Sequence, residues 1–236
     1  EAGVMSSVTP LLNGDCKMGQ NTFLFEPVSS ENLHNNKSTR NFWLYIEGKG
    51  AWSATGASAM AQAKLFNGDK EETELEAGTM WHKMTRVSKE FGIRSEITSY
   101  VPSARDTVEL MKVTITNVSD DEMVVTPTAA IPLYARSADN LRDHRHVTSL
   151  LHRVKTTNYS VLVNPTLTFD ERGHKKNEII YGVAGAEANG VKPVGFYPIV
   201  EDFIGEGGSF EMPETMMKGL APQVEAGIQI DGYEAI

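Results

Sequence analysis

The densest chemistry in the sequence lies in Arg136-Ser-Ala-Asp-Asn-Leu-Arg142-Asp143-His144-Arg145-His146. Guanidinium groups offer planar forks of donors that suit carboxylates, phosphates and vicinal hydroxyls, and histidines add donors that titrate near neutrality. Three arrangements fit such a stretch. As a metal site, His144 and His146 supply two nitrogens, but no cysteine or paired carboxylate accompanies them, which disfavours a metal. As local structure, Arg142, Asp143 and Arg145 would form surface ion pairs that cap a following helix, each pair contributing little. As a binding arm, the stretch would reach out of the fold toward a sugar or an anion.

Other chemical groups are dispersed. Glu47, Glu96 and Asp202 are the carboxylates in reach of a functional reading, yet each falls in a strand or turn where a solvated face accounts for it. His82, His144 and His152 belong to different predicted elements. The glycines of Glu201-Asp-Phe-Ile-Gly-Glu-Gly-Gly-Ser-Phe210 are not followed by Gly-Lys-Ser/Thr, and their acidic neighbours would repel a phosphate, which excludes a nucleotide loop. The residues therefore predict no catalytic group and no metal site in this chain. Exposed aromatics among Trp43, Trp52 and Trp81, with the 136–146 stretch, are what a binding or dimerisation module would use.

The elements that must position these groups are mostly strands. Asn41 to Glu47 alternates, with Phe42, Leu44 and Ile46 on one face and Trp43 and Tyr45 on the other, and Gly48-Lys-Gly50 turns the chain into Trp52. The second face suits either a second packed sheet or a wet surface for a flat polar ligand, and Trp43 and Trp52 also suit a core beside a hairpin. Ile93 to Val101 alternates cleanly; Val108 to Ile115 changes parity, predicting a bulge near Leu110. Met123 to Leu133 contains Pro127 and Pro132, marking an edge or broken strand. Tyr159 to Phe169 and Ile179 to Val183 continue the pattern.

Helix enters in two places. Ala57 to Phe66 is rich in helix formers, with an extended reading nearly as good. Val147, Leu150, Leu151 and Val154 fall at i, i+3, i+4 and i+7, predicting one short amphipathic helix with Asp143 near its cap. Many short strands and so little helix predict an all-β sandwich or barrel.

Size and charge bound the function. The 236 residues suit one β-sandwich domain over 1–236. A formal charge of −9 disfavours nucleic acid and anionic membranes as partners. The single cysteine, Cys16, has no internal disulfide partner, which points to a reducing compartment, the cytoplasm, or to a fold with no need for covalent staples. No apolar run approaches the roughly 20 residues of a membrane helix. The opening at Glu1 and the end at Ile236 read as an excised fragment of a longer chain.

One stretch carries a family resemblance. Asn41-Phe-Trp-Leu-Tyr-Ile-Glu-Gly-Lys-Gly-Ala-Trp-Ser-Ala-Thr-Gly56 resembles the strand, glycine turn and Trp-Ser segment in the N-terminal domain of glycoside hydrolase family 94 phosphorylases, with wording nearest to the 1,2-β-oligoglucan phosphorylases. The resemblance implies a β-supersandwich of the galactose mutarotase-like kind, with one or two short helices. It implies a non-catalytic carbohydrate-binding and dimerisation domain of an inverting phosphorylase acting on β-linked glucans. Such an enzyme uses no cofactor, only inorganic phosphate as co-substrate, and its acid and phosphate site lie on a helical barrel outside these residues. The family's loop completes a sugar cleft, often the partner subunit's, which makes Arg142, His144 and Arg145 candidate substrate-binding residues, joined by Trp52 of the Trp-Ser segment. Phe196 to Met212 resembles the family's Phe-x-Gly turn, expected between strands with Pro213 closing it. A mutarotase-like enzyme and the carbohydrate-binding domain of a cyclic β-1,2-glucan synthase are the alternatives.

Overall fold

The computed structural model describes residues 3–28, 39–141, 145–170 and 172–236. In chain order the strands are β1 (Met5–Ser6), β2 (Cys16–Gly19), β3 (Thr22–Phe23), β4 (Asn41–Ile46) and β5 (Gly50–Ser53), followed by helix α1 (Ala59–Ala63). A meander of β6 (Glu72–Gly78), β7 (Trp81–Ser88), β8 (Ile93–Tyr100) and β9 (Leu110–Asn117) comes next, then β10 (Val125–Ala130). A 3-10 turn (Ala138–Leu141) and α2 (Arg145–Ser149) lead into β11 (Arg153–Thr156), β12 (Ser160–Val163), β13 (Leu167–Asp170), β14 (Gly173–Lys176) and β15 (Tyr181–Ala184). The chain closes with α3 (Val200–Ile204), α4 (Glu214–Met217) and β16 (Gln229–Asp231).

Two sheets build the first core. The inner sheet, β10-β4-β5, lays Leu44, Ile46 and Trp52 against Met84, Ile93 and Ile97 of the meander β6-β7-β8-β9, all of them buried. The alternation in β8 explains the partition. Ile93, Ser95, Ile97 and Ser99 are buried, while Arg94 and Tyr100 are exposed. Burying each large aliphatic contributes about 1.5–3 kcal/mol. Pairing between β8 and β9 runs in continuous register from Ile93↔Asn117 to Tyr100↔Leu110, so the bulge expected near Leu110 is absent. The parity change arises because Val108 precedes the strand, free of the pleat.

The other face of β4 is covered by helices. Trp43 is fully buried with Phe203 of α3 and Met216 of α4, so this face holds a packed layer made of helix, where the strand pattern alone allowed a second sheet or a wet surface. The segment 196–212 is accordingly not a turn between strands: α3 ends at Gly205 (φ 72°), Gly207 (φ 77°) reverses the chain, and Pro213 caps α4. Gly205 and Gly207 do supply the positive φ that the turn needs. The pattern misled because α3 is a single buried turn, too short for a 3.6-residue period to emerge.

A third cluster gathers Val154, Val161, Val163 and Tyr181 of the sheet β15-β12-β11-β16 with Leu133 and Ala235. Here the predicted helix ends early. Val154 lies in β11, paired with Val163 and Ile230, and only Arg145–Ser149 are helical. Strand pairing on both sides of β11 outweighs one more helical turn, and Leu150, just past the end of α2, is exposed. Pro127 sits in β10 at the edge of its sheet, where its missing N–H costs no ladder bond. Ala57 to Phe66 forms helix over five residues, started by Ser58, whose Oγ accepts from the Ala61 N–H at 3.2 Å. Among the described residues no helix is long and apolar enough to cross a membrane.

Candidate functional site

The base of the arm is fixed before the arm begins. Leu133 N–H donates to Ala235 O (2.9 Å) and Tyr134 N–H to Leu24 O (2.8 Å), while Phe23 N–H donates to Arg136 O (3.0 Å) and Ala138 N–H to Gln20 O (3.1 Å). Residues 133–138 are thus laced between the N-terminal hairpin and the C-terminal segment. Ala135 adopts φ 52°, a left-handed conformation that a Cβ disfavours, and strain of this kind persists only where surrounding contacts over-determine it.

Beside residues 133–138 is a buried polar cluster. Arg136, almost completely buried, donates through Nη1 to Glu234 Oε1 at 3.1 Å and holds its guanidinium 5.2 Å from the Tyr134 ring. His152, fully buried, has its pKa pushed down to about 3, first by burial and then by the neighbouring Arg136 cation. The imidazole is therefore neutral at neutral pH. Tyr134 Oη donates to Ser137 O at 3.0 Å, and Asp139 N–H donates to Ser137 Oγ at 3.2 Å, which folds the chain into the 3-10 turn.

From this frame the chain enters 142–144 and returns in α2. Arg142 and His144 lie outside the described residues; Arg145 opens α2, its side chain likewise outside them. What is placed is both ends of the arm, with Thr148 buried and Val147 and Leu150 of the returning segment exposed.

Trp52, the fourth candidate, sits elsewhere. It is 4% exposed, and its Nε1 donates to Glu71 Oε1 at 2.9 Å. Glu71 also pairs with Arg86, whose guanidinium stands 5.8 Å from the indole. The ring borders a pocket whose lining also includes Ser58, Met60, Lys64, Glu90 and Phe91.

The rest of Trp-Ser-Ala-Thr-Gly is explained by packing. Ser53 Oγ and Thr55 Oγ1 both donate to Asn41 Oδ1 (2.8 and 2.7 Å), and Asn41 Nδ2 donates to Ala57 O (2.9 Å), all of it buried. Gly56, at φ 77°, leaves room for Arg86: a Cβ there would stand 1.3 Å from Nη1.

The remaining groups do not converge. His82 lies on β7, its pKa lowered by burial and by Arg40, whereas His152 belongs to the cluster beside residues 133–138. Among the described residues no three His, Cys, Asp or Glu side chains could hold a metal ion. Glu96 pairs with Arg94 on the meander's outer face, Glu47 is exposed beyond β4, and Asp202 is exposed in the first turn of α3.

Sequence reasoning missed the buried ion pairs Arg40–Glu109, Arg86–Glu71 and Arg136–Glu234. Arg40 and Arg86 do carry a signal, a cation on or beside a core-facing strand position, but their partners, 69 and 15 residues away, do not.

Two comparisons bear on the whole. A search of curated proteins finds no match for the chain. The family described as Glycosyl hydrolase 94, supersandwich domain, matches residues 26–231, which include strands β4 to β16. With its layered sheets and covered β4 strand, the chain belongs to glycosyl hydrolase family 94, as a supersandwich domain of that family.

Proposed function

We propose that this chain is the non-catalytic, carbohydrate-binding and dimerisation domain of an inverting glycoside phosphorylase that acts on β-linked glucans, 1,2-β-oligoglucans first among them. In the complete enzyme a carboxylic acid carried outside these residues protonates the glycosidic oxygen, and inorganic phosphate attacks the anomeric carbon from the opposite face, releasing α-glucose 1-phosphate. The present residues bind and orient. Arg142 and Arg145 supply forked donors and His144 a further donor to sugar hydroxyls, in a cleft completed across a homodimer.

The observation that carries this reading is a left-handed Ala135 and a buried Arg136–Glu234 pair that together fix the N-terminal approach to the cation-rich stretch 142–146. A loop whose residues served only as surface charge would not call for a strained, ion-paired base. The buried, unpaired Cys16, its thiol pushed up to about 12 by burial and by Glu109, accords with a cytoplasmic setting.

The test is phosphate-dependent release of glucose 1-phosphate from β-1,2-gluco-oligosaccharides by the complete protein and by its Arg142→Ala variant. Loss of a charge-assisted contact to substrate is expected to lower kcat/KM by about tenfold or more. Undiminished activity would remove the arm from the site.

A further inference from the structure

The outer face of the meander carries a second cluster with no role in the arm. Strand register brings Gly78, Trp81, Tyr100 and Leu110 side by side on β6, β7, β8 and β9. Trp81 is 41% exposed, Tyr100 40% and Leu110 37%. The indole does not stand out into water: a Cβ on Gly78 would lie 2.3 Å from Trp81 Nε1, so the ring is laid back along the edge strand. Met80, at φ 64°, shapes the β6–β7 turn beside it, and its carbonyl accepts from Val101 N–H at 3.1 Å.

The next row on the same face is polar. Glu76, Lys83, Thr98 and Lys112 stand opposite one another across the four strands, about 7 Å from the aromatic row, and Lys83 is ion-paired with Glu76. Beyond them come Glu74, Thr85, Glu96 and Thr114.

This pairing of rows selects a ligand class. The core of a protein interface is depleted in charge, whereas here a single apolar row borders directly on ionised and hydroxyl groups. A polyanion such as nucleic acid is opposed by Glu72, Glu74 and Glu76 along the edge and by the chain's charge of −9. An uncharged polyhydroxylated ring matches: its C–H face lies on the aromatics while its hydroxyls meet mixed donors and acceptors one row away.

We propose that Trp81 and Tyr100 form a secondary platform that holds a β-glucan chain against the meander, on strands that do not flank the arm. The identity of the glucan rests on the function proposed above. The platform raises retention of long chains and takes no part in bond cleavage.

The experiment measures migration of the complete protein through gels containing linear β-1,2-glucan, with phosphorolysis of a short β-1,2-gluco-oligosaccharide and sedimentation measured in parallel. Trp81→Ala and Tyr100→Ala are each expected to weaken retention by about tenfold, and Gly78→Ala, which displaces the indole without deleting it, by a smaller factor. Activity on the short substrate should not change in any of the three. Unchanged retention in the aromatic variants, with far-ultraviolet circular dichroism intact, overturns the platform. So does a Trp81→Ala variant that keeps its retention but loses self-association, which would assign the face to a second copy of this chain. Wild-type protein without phosphorolysis would break the proposed function, while retention on the glucan gel remains a separate readout.

Discussion

The β4–β5 hairpin and the base of the arm both bury conspicuous polar residues, and they do so in opposite ways. In the hairpin, Asn41, Ser53 and Thr55 close on one another through hydrogen bonds of 2.7–2.8 Å, and Gly56 takes a positive φ that glycine adopts without cost. At the base of the arm an alanine takes the left-handed conformation, and a neutral imidazole is sealed in beside a guanidinium. The first region is a locked joint whose sequence agrees with its geometry. The second departs from local preference, and persists only because the surrounding contacts over-determine it. Density of polar residues alone therefore separates nothing; agreement between residue and backbone does.

The largest expected effect sharpens the locked side of that contrast. In Gly56→Ala the new methyl would collide with Arg86 Nη1 and also require alanine at φ 77°. Arg86 cannot retreat without leaving Glu71, with which it shares a largely buried ion pair. Breaking such a pair by displacing one partner costs about 3–5 kcal/mol. Urea unfolding should show a midpoint lowered accordingly with little change in slope. A loss under about 1 kcal/mol would mean that the joint is pliable and the comparison false.

How far each region was legible follows from the same distinction. The alternation of Phe42, Leu44 and Ile46 and of Ile93, Ser95 and Ile97 reports burial directly, because one face of a strand meets the core and the other does not. Strands β4 and β8, and an all-β fold, were therefore readable. The covering of Trp43 by α3 and α4 was not, since nothing local to β4 specifies what arrives 160 residues later. Val154 was assigned to helix because its spacing from Val147 fits 3.6 residues, and the pairing with Val163 and Ile230 that claims it for β11 is a non-local event. At the arm, the cationic run Arg142 to Arg145 was plain in the sequence. Its foundation was not: Arg136 finds Glu234 across 98 residues, and no residue type at 135 announces a left-handed turn.

His152 probes the strained side. Its pKa is pushed down to about 3 in the folded protein, against an ordinary value near 6.5 when unfolded. Above pH 6.5 both states are neutral and the group is silent. Between 6.5 and 3 the unfolded chain binds a proton that the folded one refuses, so stability falls as pH falls, by up to about 1.4 kcal/mol per pH unit. Chemical denaturation at pH 7.0 and 5.0 should show a wild-type loss about 2 kcal/mol greater than that of His152→Leu, the difference cancelling carboxylate contributions common to both. Parallel pH curves for the two proteins would show that the imidazole is solvated, and that the base of the arm is no tighter than a surface loop.

The smallest effect comes from Ala135→Gly, and its size is informative because two terms oppose. Removing the Cβ relieves about 1–2 kcal/mol of left-handed strain. Against this stand the added freedom of an unfolded glycine, about 0.5–1 kcal/mol, and the lost burial of a methyl at a position 2% exposed, about 0.8 kcal/mol. The sum is close to zero. Ala51→Gly in β5 pays the same two penalties at a buried position with no strain to relieve, and should cost about 1.5 kcal/mol or more. The gap between the two variants in thermal or urea unfolding thus measures the energy held at the entrance to the arm. Equal losses would place Ala135 in an unstrained backbone; near-neutral stability with reduced phosphorolysis by the complete protein would tie that conformation to the arm's aim, since a glycine keeps the fold while widening the directions in which residues 142–146 can point.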